Sequence, residues 1–114
     1  MVLINETRGV ALAGRVRLAD TFWRRLVGLL TCKGLGAREG LLIAPCRAVH
    51  THFMRFAIDV AFLDKDWRVV GVAPDLKPWR HAFGGESAWA TLELPGGVLA
   101  ETGTQVGDQL KMVE

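Results

Sequence analysis

Apolar and polar positions alternate with a period of two along much of this chain. Val10, Leu12, Gly14, Val16 and Leu18 are separated by smaller or polar residues. That is the spacing of a strand, with a hairpin turn placed near Ala13-Gly14. The period then changes. Asp20 or Thr21 can cap a helix. Phe22, Leu26, Leu29 and Leu30 follow at helical spacing, with Arg24 and Arg25 on the polar face. Gly34 and Gly36 close the element. One principal helix is therefore predicted near residues 20–33.

Beyond Gly40 the texture is that of strands. Leu41-Leu42-Ile43 is a short apolar run stopped by Pro45, and Val49 to Met54 and Ala57 to Leu63 follow. Asp64-Lys65-Asp66 reads as a tight turn, with Trp67 to Ala73 returning as the partner strand. Pro74, Pro78, Gly84 and Gly85 bound a predicted long loop carrying Trp79, Arg80 and His81. Ala88 to Leu94 reads as a strand broken by Pro95-Gly96-Gly97. Val98 to Thr102 forms a helical turn ended by Gly103, and Gln109 to Val113 is the last strand. The fold class expected is mainly β, with α+β at the margin. It would be a small barrel or sandwich of about seven short strands with one principal helix.

Length and composition narrow this further. At 114 residues, half of them hydrophobic and 23% charged, the chain fits one globular domain spanning 1–114 with a real core. No apolar run reaches the ~18 residues of a membrane span. The opening Met-Val-Leu-Ile-Asn-Glu has no basic n-region and no cleavage site. By that criterion the expected location is cytoplasmic. The net charge of +2 conceals an asymmetry. Residues 1–57 carry nine Lys/Arg against three Asp/Glu, and residues 58–114 carry five against nine. The arginines are scattered, which favours pairing between interleaved halves over a nucleic-acid surface. Cys32 and Cys46 would close a 15-residue loop if bridged, worth about 3 kcal/mol. Nothing in the spacing demands the bridge, and neither residue belongs to a Cys-x-x-Cys pair.

Four blocks carry a family resemblance: Arg25-Leu26-Val27-Gly28-Leu29-Leu30, Gly40-Leu41-Leu42, the stretch from His50 to Asp64, and Leu92-Glu93-Leu94-Pro95-Gly96-Gly97 with the Gly107-Asp108-Gln109-Leu110 ending. In this order they resemble the bacterial and archaeal domain-of-unknown-function family numbered 192, over roughly residues 10–113. The resemblance implies a compact β-rich fold with a helix packed on it and no established reaction. It also implies an envelope association, because many such proteins look exported. Partners in a pilus or secretion system, or an unknown small molecule, are then in view.

The residues have chemistry of their own. On an unbroken strand His50, His52 and Met54 share one face, and Thr51 and Arg55 the other. His50 and His52 at i and i+2 are the weak candidates for a metal, but no recognised ligand spacing surrounds them, and no metal is expected. Asp59 sits inside an apolar strand, as does Glu93. An ionised carboxylate there is costly unless paired, and Arg25 and Arg55 are the available cations. The candidate pocket is therefore Arg25, His50, Thr51, Met54, Arg55, Asp59 and Glu93, gathered as a polar floor or as a buried ion-pair network. Cys46 with His50 as a catalytic pair would need a sharp turn, since residues at i and i+4 on a strand lie about 13 Å apart. Trp67, Trp79, Trp89 and Phe83 read mainly as packing, with Trp79-Arg80-His81 the best exposed candidate.

No nucleotide-binding Gly-rich turn is present, and no cofactor is expected. The leading reading is a non-catalytic binding or accessory module. A small hydrolase or lyase using Asp59 or Glu93 with His50 is the second reading, and a nucleic-acid binder is the third.

Overall fold

The structure is a computed structural model and describes residues 1–19, 39–52 and 54–114. The predicted helix near 20–33, with Arg25 and Cys32, lies outside the described residues. Among the described residues ten strands run in order: β1 (Val2–Asn5), β2 (Val10–Ala13), β3 (Arg15–Ala19), β4 (Glu39–Ile43), β5 (Ala48–His50), β6 (Ile58–Leu63), β7 (Val69–Leu76), β8 (His81–Phe83), β9 (Ala90–Pro95) and β10 (Leu110–Val113). One short helix, α1 (Val98–Thr102), separates β9 from β10. The mainly β class holds. The strands form open sheets and not a closed barrel.

A five-stranded sheet in the order β3-β4-β9-β6-β7 is the centre. Its β3–β4 pair is parallel and its other pairs are antiparallel. Every residue of β6, and all of β9 except Pro95, is buried. These strands therefore read as continuous apolar runs, because the sheet has a core on each face. On one face Leu42, Ala61, Leu92 and Leu94 pack with Leu3, Leu12, Leu99 and Leu110, under the β10-β1-β2 sheet and α1. On the other face Leu41, Val60 and Phe62 pack with Val49, Met54 and Ala82, under the two-stranded β5–β8 ribbon.

Several boundaries differ from the sequence reading, each for a physical reason. No hairpin forms at Ala13-Gly14. β2 pairs with β1 and β3 pairs with β4, so the chain changes sheet there. The terminal strand β1 gave no alternating signal of its own and is built by pairing with both β2 and β10. The strand predicted to run from Val49 to Met54 stops at His50, because Met54 N–H turns back to donate to the Thr51 carbonyl at 3.1 Å. The predicted loop after Ala73 is in large part strand. β7 continues through Pro74 to Leu76, and β8 pairs with β5. Pro74 is tolerated because β7 is the sheet's edge and Pro74 sits in a bulge. The register passes from Val60↔Ala73 to Ile58↔Leu76, so Pro74 and Asp75 together face Asp59.

Gly84 marks a close approach on the ribbon side. A Cβ there would lie 2.4 Å from Phe62 Cγ. The chain passes over the buried Phe62 ring only because it carries no side chain at that point.

Candidate functional site

Asp59 is 1% exposed, and both of its oxygens are engaged by main-chain amides. Oδ1 accepts from Asp75 N–H at 2.9 Å and Oδ2 from Leu99 N–H at 2.8 Å. The first bond satisfies an amide that the Pro74-Asp75 bulge takes out of the ladder, where Asp75 has φ 51°. The second caps α1, whose own N-cap is Gly97 and provides no side-chain cap. The helix dipole favours a negative charge at that end. Asp59 therefore fastens β6 to β7 and to α1.

Glu93 lies elsewhere. β9 pairs with β6 so that Asp59 faces Leu94 and Val60 faces Glu93. Opposed residues share a face of the sheet, so the two carboxylates stand on opposite faces. Asp59 is on the side of α1, and Glu93, fully buried, is on the side of the ribbon. The structure does not bring them together as a carboxylate pair. Arg55 is exposed, and Arg25 lies outside the described residues.

Thr51 gathers the remaining candidates. It is fully buried and is hydrogen-bonded through its main chain and its hydroxyl to the turn between β7 and β8. Its amide donates to the Arg80 carbonyl at 2.8 Å, and its carbonyl accepts from Trp79 N–H at 3.1 Å. Its hydroxyl accepts from Arg80 N–H at 2.9 Å and donates to the Lys77 carbonyl at 2.6 Å. These bonds hold Trp79 at φ 64°, a left-handed conformation rare for a bulky side chain. Once Thr51 ends the strand, the alternation expected for 50–55 is lost. His52 turns so that its ring lies 4.8 Å from that of His50 and stacks on Trp79 at 5.4 Å, with 29° between the planes. His50 pairs with His81 across the ribbon, and Ala48 with Phe83. These two pairs share the outward face, while Val49 and Ala82 face the core. Trp79 is 57% exposed and Phe83 66%. Met54 is buried beneath, among Val60 and Phe62.

The histidines at 50 and 52 thus meet the Trp79-Arg80-His81 turn from far along the chain. The two sequence candidates form one ledge, a juxtaposition that the β5–β8 pairing creates and that reading Pro74 to Gly85 as loop does not show. Among the described residues no three His, Cys, Asp or Glu side chains are grouped to hold a metal ion. Cys46 is a free, half-buried thiol that donates to the Ala48 carbonyl at 3.0 Å. It lines an open groove of about 460 Å³ with Arg47, Lys65, Glu86, Ser87 and Trp89.

A second polar cluster escaped the sequence reading. Asn5 and Asp108 are buried, and Asn5 Nδ2 donates to Asp108 Oδ2 at 2.9 Å and to Thr104 Oγ1 at 3.0 Å. Arg8 Nε donates to Asp108 at 2.6 Å, and the Gln105 amide at 3.1 Å. Burial alone would raise the Asp108 carboxyl. The bonds from Arg8, Asn5 and the Gln105 amide, together with the charge of Arg8, outweigh it and hold the group below its ordinary value. The available signal is an Asp directly after Gly107, in the Gly107-Asp108-Gln109-Leu110 block that ends the family resemblance.

Fold and site together define a mixed-sheet β domain that displays an imidazole and aromatic ribbon on one side. The chain belongs to the DUF192 family (Uncharacterized ACR), whose model matches residues 3–112. It is similar to a UPF0127 protein of Pyrococcus horikoshii, 35% identical over 96% of this chain and 97% of that one. A UPF0127 protein of Thermococcus kodakarensis is 38% identical over 94% of this chain and 70% of its own. These relatives are archaeal. The fold matches a crystal structure of a protein of unknown function from Novosphingobium aromaticivorans with a TM-score of 0.82, at 24% identity over 97% of this chain and 83% of that one. Among the described residues no helix is long and apolar enough to cross a membrane.

Proposed function

We propose that this protein is a non-catalytic recognition module that takes its ligand on the ledge formed by His50, His52, Trp79 and His81. The observation that carries this reading is the Thr51 clamp. A fully buried threonine bonds through its hydroxyl to Lys77 and Arg80 and through its carbonyl to the Trp79 amide, and so fixes the turn that carries an exposed tryptophan at positive φ against His52. Strain of this kind costs about 1–3 kcal/mol and persists where the surroundings over-determine it, commonly at ligand sites. Exposed rings fixed in place lose little entropy when a ligand arrives. The acid–base alternative is weakened by the same geometry, because the oxygens of Asp59 serve main-chain amides and Glu93 lies across the sheet from it.

The test is a ligand screen read at the indole N–H signals of ¹⁵N-labelled protein. The chain has four tryptophans, and Trp79→Phe assigns the signal of interest. Nucleotides, sugars, acidic peptides and aromatic acids form the screen. A ligand that shifts the Trp79 signal ahead of the other three supports the reading. A screen in which ligands bind but shift only the other indoles overturns it.

A further inference from the structure

The ledge continues along the ribbon, and the two segments that build it are rich in cations. Segments 47–57 and 76–85 contain Arg47, Arg55, Lys77 and Arg80, all three histidines of the chain, and not one of its 12 acidic residues. They are far apart in sequence, and the β5–β8 pairing together with Thr51 brings them side by side. Arg47, Arg55, Lys77 and Arg80 are exposed. Lys77 pairs with Asp75 at 3.1 Å, with both side chains 66% exposed, so that pair is weak and readily exchanged. On the outward face His81 and Phe83 are two residues apart, roughly 7 Å along the strand, and Trp79 stacked on His52 extends the row. Scattered in the sequence, these cations gave no sign of a common surface. Folded, Arg55, Lys77 and Arg80 lie on the segments that carry the exposed rings, whereas Arg47 donates Nε to the Ala88 carbonyl at 3.0 Å and lines the Cys46 groove.

We infer that the ligand of this ledge is single-stranded nucleic acid, with bases stacked on Trp79, His81 and Phe83 and phosphates met by Arg55 and Arg80. This rests on the recognition reading above and names its ligand class. Rings with flanking cations are the two parts such binding needs, because every base has a stackable face and every linkage carries a charge. An anionic membrane would use the cations but has no need of a stacked His52–Trp79 pair. A duplex hides its base faces from the rings.

The experiment is fluorescence anisotropy with a labelled RNA of about twelve nucleotides, as single strand and as duplex, at about 50 mM and about 200 mM salt. Vesicles of phosphatidylcholine with phosphatidylserine form a parallel arm. The single strand should bind better than the duplex. With about two phosphates engaged, the single strand should lose roughly sevenfold in affinity over that salt range. Trp79→Ala and Phe83→Ala should each weaken binding roughly tenfold without moving the melting temperature. Arg80→Gln should lower the salt slope by about 0.7. Equal affinity for the duplex, or single-strand binding that survives both aromatic substitutions, overturns the inference. If RNA is ignored while the vesicles or a small ligand shift the Trp79 indole signal, this inference falls and the recognition reading stands. If nothing in either experiment reaches Trp79, both fall.

Discussion

The two faces of the central sheet carry polar residues to opposite ends. On the α1 side, Asp59, Asn5 and Asp108 are buried, and their bonds run to amides, hydroxyls and one arginine of the protein itself. On the ribbon side, buried Thr51 is likewise bonded to main chain, but what it holds in place is a set of exposed rings. The difference separates two meanings of a polar residue in an apolar element. A buried carboxylate whose lone pairs are filled by amides is a fastener, and its removal leaves those amides stranded. A buried threonine whose hydroxyl and carbonyl fix the turn carrying an exposed tryptophan at positive φ supports something outside the core. Density of motif residues does not distinguish the two cases; the list of bonding partners does.

Substitutions sort along this divide. Asp59→Ala should have the largest effect, about 3 kcal/mol of stability, because two buried amides lose their acceptor together. A thermal melt should show it as a drop of more than about 10 °C. Gly84→Ala comes next, at about 2 kcal/mol, since the added methyl meets the Phe62 ring and the chain must lift. Urea unfolding of that variant reads the loss, and an unchanged midpoint would contradict the packing described. Thr51→Val should cost about 1–2 kcal/mol and, unlike Gly84→Ala, abolish any ligand-induced shift at Trp79. The acid limb tests the Asn5–Arg8–Asp108 cluster. The Asp108 carboxyl is held low in the folded state, so its contribution is complete above the unfolded value and fades as pH falls through the folded one. Stability should therefore decline below about pH 4, and that part of the decline should be absent in Asp108→Asn, itself less stable at neutral pH. Trp79→Ala and His52→Ala should have the smallest effect on stability, within about 0.5 kcal/mol, while removing ligand response.

Much of the central sheet was legible because its signal is local. The apolar runs at 41–43, 58–63 and 90–94 are strands, and Gly97 and Gly103 bracket the short helix as the breaker residues indicated. What the sequence hid depends on pairing. β1 and β8 are short and take their form from partners far along the chain. Pro74, a breaker by its chemistry, proved compatible with a strand once β7 lay at an edge. Thr51 and Asp59 are buried polar groups and His50 is half-buried, and their roles turn on parity. One turn at Thr51 redirected His52, and the β6–β9 register set Asp59 and Glu93 on opposite faces. Neither event leaves a mark on composition or on spacing.

Both oxygens of Asp59 are spent on holding the fold together. Amide hydrogen exchange of the wild-type protein measures it at the two N–H groups concerned. The Asp75 and Leu99 amides should exchange as slowly as the ladder amides of β6 and β9, opening only with the whole molecule. Exchange of both at loop-like rates would mean the carboxylate is not bound to them, and would return Asp59 to the candidates for chemistry.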